Sequence, residues 1–347
     1  MAAKRELQDA GRTLIKSGAI YFRTLAANGT PSTSEARPSD WADIMEICFD
    51  NREADVGRFL RRHFAGLDIS SLIRLAEPAP PVPTLCDRAV EVLNKGVVAF
   101  NDSIKMRNLS PAEERMLSYG FWSIGLVIDP PRLDALPSQD FLATIGSSNP
   151  SYTGWPPWMD ARLFADPESR PKVLSGAFEF LVISSVSDFS SHVDFARLDP
   201  KGEFFLHRLL QDDGVASRVA PGKVMDPQLM IYRVAEVLAV GIAFAKALGW
   251  VPDQTQLGFA FRWQGLKGRT LTTWANPFSD LGNVYAGKAH DQAVESCVQF
   301  SLDTPLSALS QFVNAATKRL FATFDGSTIP LRTVDDLVNR VFARRLA

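Results

Sequence analysis

Histidine and cysteine are scarce in this chain of 347 residues, with four of the first and three of the second. Cys48, Cys86 and Cys297 lie far apart. Their spacing offers neither a disulfide framework nor a CxxC metal knuckle, and a reducing, cytoplasmic setting is the expectation. Four histidines leave few routes to imidazole-dependent catalysis. The glycine-rich phosphate loop, the dinucleotide glycine fingerprint, the Gly-x-Ser-x-Gly nucleophile elbow and the His-Glu-x-x-His zinc helix are all missing. No cofactor is therefore expected. Net charge is small: 37 Lys+Arg against 39 Asp+Glu give −2, which supplies no global attraction to nucleic acid or to an acidic membrane. The opening Met1-Ala2-Ala3-Lys4-Arg5-Glu6 lacks the apolar core of a secretory signal. The longest apolar stretch, 227–248, is broken by Arg233 and Glu236, whereas a membrane span needs roughly 18–20 apolar residues in a row.

What is present is a chain with a 46% apolar share, enough for a globular core. Its organising stretch is His192–Trp250. His192–Leu198 alternates, with Val193, Phe195 and Leu198 apolar. Glu203–Leu210 follows, and Asp199-Pro200-Lys201-Gly202 lies between them. Proline presets φ for the second turn position and glycine accepts the positive φ that closes the turn, so the pair reads as an antiparallel hairpin. Asp226-Pro227 then opens a helix, the aspartate capping free N–H groups and the proline taking the first position. The helix stops at Gly249. It is apolar nearly all round, which marks it as a buried core helix.

Taken in order, 1–77 reads as a helical segment with a flexible linker near 28–39. Glu77–Pro83, with four prolines, is a stiff connector and the best domain boundary. The rest, 84–347, reads as one α+β domain: a helical lead-in over 84–125, a loop-rich stretch over 130–172 with a short helix near Phe141, and a sheet with helices over 176–347. The expected order from Gly176 is βββαβββα, a largely antiparallel sheet with its helices packed on one face. The second group of strands would be Leu257–Trp263, Arg269–Trp274 and Glu295–Leu302.

Three sets of residues invite a functional reading. His192, Asp194, His207, Asp212 and Asp213 form the densest polar group. Imidazole and carboxylate together hold divalent metals that activate water, although an exposed strand face beside a polar turn would look the same. Arg262, Lys267 and Arg269 surround Trp263 near a tight turn, a pattern that suits phosphate contact and base stacking, or simply a solvated turn with its tryptophan in the core. Gly154-Trp155-Pro156-Pro157-Trp158 makes a rigid aromatic wedge, and Trp155 and Trp158 would line a ligand groove or an interface, or pin a loop onto the sheet.

Several stretches resemble one family together. They are Thr153–Trp158, His192–Arg208, Gln211-Asp212-Asp213, Tyr232–Gly241 and Phe261–Arg269. Over about residues 150–330 the chain is similar to the C-terminal accessory region of bacterial proteins that carry an N-terminal Schlafen-type, Alba-like putative DNA- or ATP-binding domain. That N-terminal domain, with its acidic-Phe-Lys signatures on an α/β pattern, has no counterpart in 1–150. Its nucleotide or nuclease role therefore does not carry over. The resemblance implies a defence or regulatory context and no catalytic residue.

The expected function is a non-catalytic sensor or adaptor that binds a ligand or protein partner through the Trp155–Trp158 wedge while the N-terminal segment docks a protein. The alternative is a nucleic-acid-binding protein, in its strongest form a metal-dependent nuclease. No membrane partner is expected.

Overall fold

The computed structural model describes residues 83–186, 190–276, 281 and 287–345, and the backbone of 24–25 and 31–32. The chain divides into two units, Met1–Val82 and Pro83–Ala347, and the division falls inside the proline-rich connector. In the first unit, strand β1 (Thr24–Leu25) pairs antiparallel with β2 (Pro31–Ser32), where the helical segment and its linker were expected. The other expectations for 1–77 lie outside the described residues.

In the second unit, helix α1 (Leu85–Lys105) starts at Thr84, which forms a reciprocal capping box with Asp87. Ala89, Val92, Leu93, Gly96 and Phe100 make its buried stripe, the i, i+3, i+4 spacing of a helix lying on a core. Helix α2 (Pro111–Leu117) is capped by Ser110 and Glu113 in the same way. Strand β3 (Phe121–Asp129) and helix α3 (Gln139–Ser148) follow. Next come β4 (Lys172–Leu174), β5 (Ala177–Val186), β6 (Ser190–Asp199) and β7 (Glu203–Leu209). The turn between β6 and β7 closes as expected, with Gly202 N–H donating to Asp199 O at 3.0 Å and Gly202 at φ +105°. A single helical turn α4 (Gln211–Gly214) and β8 (Val224–Met225) lead to helix α5 (Pro227–Ala247), whose Asp226 cap accepts from Gln228 N–H and Leu229 N–H. Strands β9 (Gln256–Gln264), β10 (Thr270–Leu271) and β11 (Ala293–Ser301) and helices α6 (Leu309–Ala322) and α7 (Leu331–Phe342) complete the unit.

The fold is α+β. Its seven-stranded sheet runs β11-β9-β3-β7-β6-β5-β4, antiparallel throughout. Strand alternation sorts the side chains to two cores. On β3, Trp122, Ile124, Leu126 and Ile128 join α3, α5, α6 and α7, while Phe121 and Val127 join α1 and α2. Helix α1 comes so close that a Cβ on Gly125 would stand 2.3 Å from Ala89 O, and one on Gly96 2.1 Å from the Phe205 ring. Helix α5 passes the length and hydropathy test for a membrane span, but 89% of its most apolar window is buried inside the domain.

Four expectations are corrected. The lead-in is not helical throughout: β3 lies between β7 and β9 at the centre of the sheet. Both of its faces are buried, so it shows a nearly continuous apolar run, interrupted by Ser123, rather than alternation. The helices occupy both faces, because α1 and α2 cover the one opposite α5. The second strand group has only two members in the sheet, since Thr270–Leu271 pairs in parallel with Val224–Met225 apart from it. Cysteine spacing also misled. Cys86, in the first turn of α1, is disulfide-bonded to Cys297 on edge strand β11, with Cα atoms 5.9 Å apart across a sequence separation of 211. Disulfides are rare in the cytosol, so the cysteines no longer argue for a reducing compartment.

Protein alkylated before denaturation should yield a tryptic peptide pair joined through Cys86 and Cys297. Reduction should then lower stability by up to about 5 kcal/mol, the ceiling that the chain-entropy account sets for a loop of this length. Chemical denaturation with and without reductant measures this, and superimposable curves would contradict the clasp.

Candidate functional site

The site is built where the β6–β7 hairpin meets the N-terminal part of α5. Asp194 and Arg208 are direct cross-strand partners, so alternation puts both on the α5 side of the sheet. Asp194 is wholly buried and Arg208 nearly so. Arg208 Nε donates to Asp194 Oδ1. The other Asp194 oxygen accepts from Trp155 Nε1 at 2.9 Å. Arg208 also donates to Trp155 O at 3.1 Å and to Pro156 O at 2.9 Å.

From α5, Arg233 completes the clamp. It donates to Trp155 O at 2.8 Å, to Gln211 Oε1 at 2.9 Å, to Glu236 Oε2 at 3.2 Å and to Thr153 Oγ1. Thr153 N–H donates to Glu236 Oε1 at 2.8 Å. Burial, then the nearby Arg208 charge, brings Arg233 down to about 10, which leaves it charged at neutral pH. Two buried guanidiniums, each with its own carboxylate, thus hold the Thr153–Pro156 backbone over the sheet.

Beneath this strap is a cavity of about 180 Å³, with Trp122, Trp155, His192, Arg208, Arg233 and Asp212 among its walls. The Trp155 indole stacks on the His192 ring, centroids 4.2 Å apart at 13°. Burial lowers the His192 pKa, Asp194 opposes that shift, and Arg208 and Arg233 add to it.

Asp212 is 1% exposed. Its Oδ1 accepts from Asp226 N–H at 2.7 Å and Trp274 Nε1 at 2.8 Å, whereas Oδ2 has no partner among the described residues. Burial pushes its pKa up to about 7, helped by the Asp226 charge and opposed by Trp274, the Asp226 N–H and Arg269. An unsatisfied buried carboxyl oxygen on a cavity wall is costly unless something meets it. A wider groove of about 410 Å³ lies on the α1 side, but Arg197 there is bridged to Glu179 at 3.1 Å and to Asp199 at 3.8 Å. It holds no orphaned buried polar atom among the described residues.

The sequence candidates separate on this geometry. Trp155, His192 and Asp212 line the cavity, with Asp194 directly behind. Trp158 does not: it is 0% exposed and donates from Nε1 to Phe205 O at 3.0 Å, so it pins the loop as core and meets no partner. The proposed metal set does not converge. His207 is on the α1 side, paired with Ser123 Oγ at 2.7 Å and stacked on Phe121, and burial takes its pKa down to about 3. Asp213 is bound by Arg269, by Gly120 N–H at 2.8 Å and by Gly222 N–H at 2.7 Å. No cluster able to hold a metal ion occurs among the described residues.

The nucleic-acid set also disperses. Trp263 and Arg269 are buried, Arg262 is tied to Glu295 at 2.6 Å and Asn94 at 2.7 Å, and of the four only Lys267 is exposed. Sequence reasoning missed Arg208, Arg233, Glu236, Gln211 and Thr153. The signal for two of them was available: Arg233 and Glu236 interrupt a helix that is otherwise buried, and buried charges must find partners.

No family model matches the chain, and neither a curated protein nor a solved structure matches it.

Breaking the clamp on one side should be severe. Arg208→Met leaves Asp194 buried and uncompensated and is expected to cost about 3–5 kcal/mol, part of which returns in the double variant with Asp194→Asn. Urea denaturation of both variants provides the comparison.

The raised Asp212 pKa carries a second expectation. Between pH of about 4 and 7 the unfolded chain releases a proton that the folded protein keeps, so this group's contribution falls as pH rises through that window and is level above it. Asp212→Asn removes the loss. Its stability relative to the parent should climb from pH 4 to pH 7, and a pH-independent difference in thermal midpoint would refute the assignment.

Proposed function

We propose that the chain is a non-catalytic sensor or adaptor whose ligand enters the cavity beneath the Thr153–Pro156 strap. The observation that carries this reading is the Asp212 carboxyl, buried on the cavity wall with one oxygen unmet. The rigid clamp supports it. Binding sites work when side chains are preorganised by packing and by hydrogen bonds behind them, and Arg208, Asp194, Arg233 and Glu236 supply that here. Occupation of the cavity would be felt directly by the strap, because Arg233 bonds both Gln211 and Trp155 O. A protein partner is then the natural reader of the change, with the first unit, Met1–Val82, as its docking element. The resemblance to accessory regions of Schlafen-type bacterial proteins supports a place in a defence or regulatory system. The reading holds in a cytoplasmic or an oxidising compartment.

Nucleic-acid binding is the weaker reading, because the indole and one of the guanidiniums it needs are inside the protein.

A library of fragment-sized molecules, followed by ligand-observed NMR, tests the proposal. Hits should disappear in variants that fill the cavity from two different elements, Leu229→Trp on α5 and Gln211→Trp on α4, while circular dichroism stays native. Hits that survive both substitutions would place binding elsewhere.

A further inference from the structure

We infer that the ligand of this cavity is a small uncharged molecule presenting an amide-type edge, a carbonyl beside an N–H, as in a carboxamide, a lactam or a nucleobase. The inference rests on the reading of the cavity as a ligand site and adds the chemical class.

Size is the first constraint. At about 180 Å³ the cavity is smaller than the roughly 300–1,000 Å³ of pockets for drug-sized ligands, so the occupant is a fragment rather than a nucleotide or peptide. Charge is the second. Two guanidiniums on the walls suggest an anion site at first sight, but each is already matched. Asp194 neutralises Arg208 and Glu236 neutralises Arg233. An anion entering would find no uncompensated positive charge and would meet Asp212 besides. A cation would find Asp194 and Glu236 equally matched, and would meet only Asp212, which burial drives towards its neutral form. Placing a charge in such surroundings without a partner is strongly disfavoured, and an uncharged occupant avoids this.

Hydrogen bonding is the third constraint. A guanidinium has five N–H groups. Arg208 donates to three acceptors among the described residues, which leaves N–H groups for a ligand acceptor. Gln211 Oε1 accepts from Arg233, so its amide NH₂ remains as a further donor. Asp212 Oδ2 is the complementary group: ionised it accepts an N–H, and protonated it donates an O–H. A carbonyl satisfies the donors, and an adjacent N–H satisfies the carboxyl oxygen. The aromatic walls, Trp155 and Trp122, suit a flat molecule.

Matched probes of nearly equal shape test the class on the full chain. Benzamide and benzoate differ in charge and in the N–H; uracil offers two amide edges; inorganic phosphate is the anion control. Isothermal titration or ligand-observed NMR should show benzamide or uracil binding at least tenfold more tightly than benzoate, no phosphate binding, and loss of the signal in Leu229→Trp and Gln211→Trp. Benzoate or phosphate binding as tightly as the uncharged probes, and blocked by the same substitutions, would overturn the class and leave the cavity as a site. Binding of the uncharged probes that neither substitution weakens would overturn both, as would an absence of binding by all four.

Discussion

The structure around the cavity depends on one requirement, that a buried charge must have a partner. Arg208 and Asp194 face each other across two neighbouring strands, inside the protein. Neither would be tolerated there alone. Together they still have hydrogen-bonding capacity to satisfy, and the nearest groups available are the Trp155 indole N–H and the backbone carbonyls of Trp155 and Pro156. The ion pair therefore dictates where the 153–156 segment lies. The same logic operates from α5, where Arg233 and Glu236, one turn apart, reach up to Thr153 and Trp155. A loop rich in proline and glycine is thus fixed by charge pairs rather than by its own propensity. The expense of such pairs is warranted when they fix one geometry; they add little to stability over an apolar core of the same volume.

Much of the fold was legible because it follows from local rules. The β6–β7 hairpin is given by Asp199-Pro200-Lys201-Gly202, the start of α5 by Asp226-Pro227, and its end by Gly249, which sits at φ +85°. Helices α1 and α2 announce themselves through their caps. What escaped was whatever depended on the third dimension. Strand β3 is buried on both faces, and a run such as Phe121–Asp129 has no period by which to recognise it. The Cys86–Cys297 bond joins residues brought together by α1 crossing the edge strand, which no spacing along the chain can indicate.

The site was legible in part. Trp155, His192 and Asp212 were recognised as unusual, and they do share a cavity. Grouping His207 with them failed on parity. His207 is one residue from Arg208 on the same strand, and a step of one residue carries a side chain to the other face of the sheet. The hairpin register places His207 opposite Phe195 and Arg208 opposite Asp194. Once that register is known, the metal set separates and the ion pair takes its place. Trp158 and Trp263 follow the core alternative that the sequence left open for each: both direct their indole N–H to partners inside, Phe205 O and Met230 Sδ.

The contrast between Asp212 and Asp213 shows why neighbouring residues of one type need not share a role. Asp213 is saturated: two backbone N–H groups and the Arg269 guanidinium meet both of its oxygens, so it serves to hold the β8–β10 region against β3. Asp212, one residue away on a single helical turn, is among the residues that line the cavity, with one oxygen satisfied and the other not. Burial without a full set of partners raises its pKa towards neutrality, and a group in that condition is poised to accept or give up a proton with little change in free energy. A wall of this kind adapts to either end of an amide, and the fixed guanidiniums beside it supply the orientation that the carboxyl alone would lack.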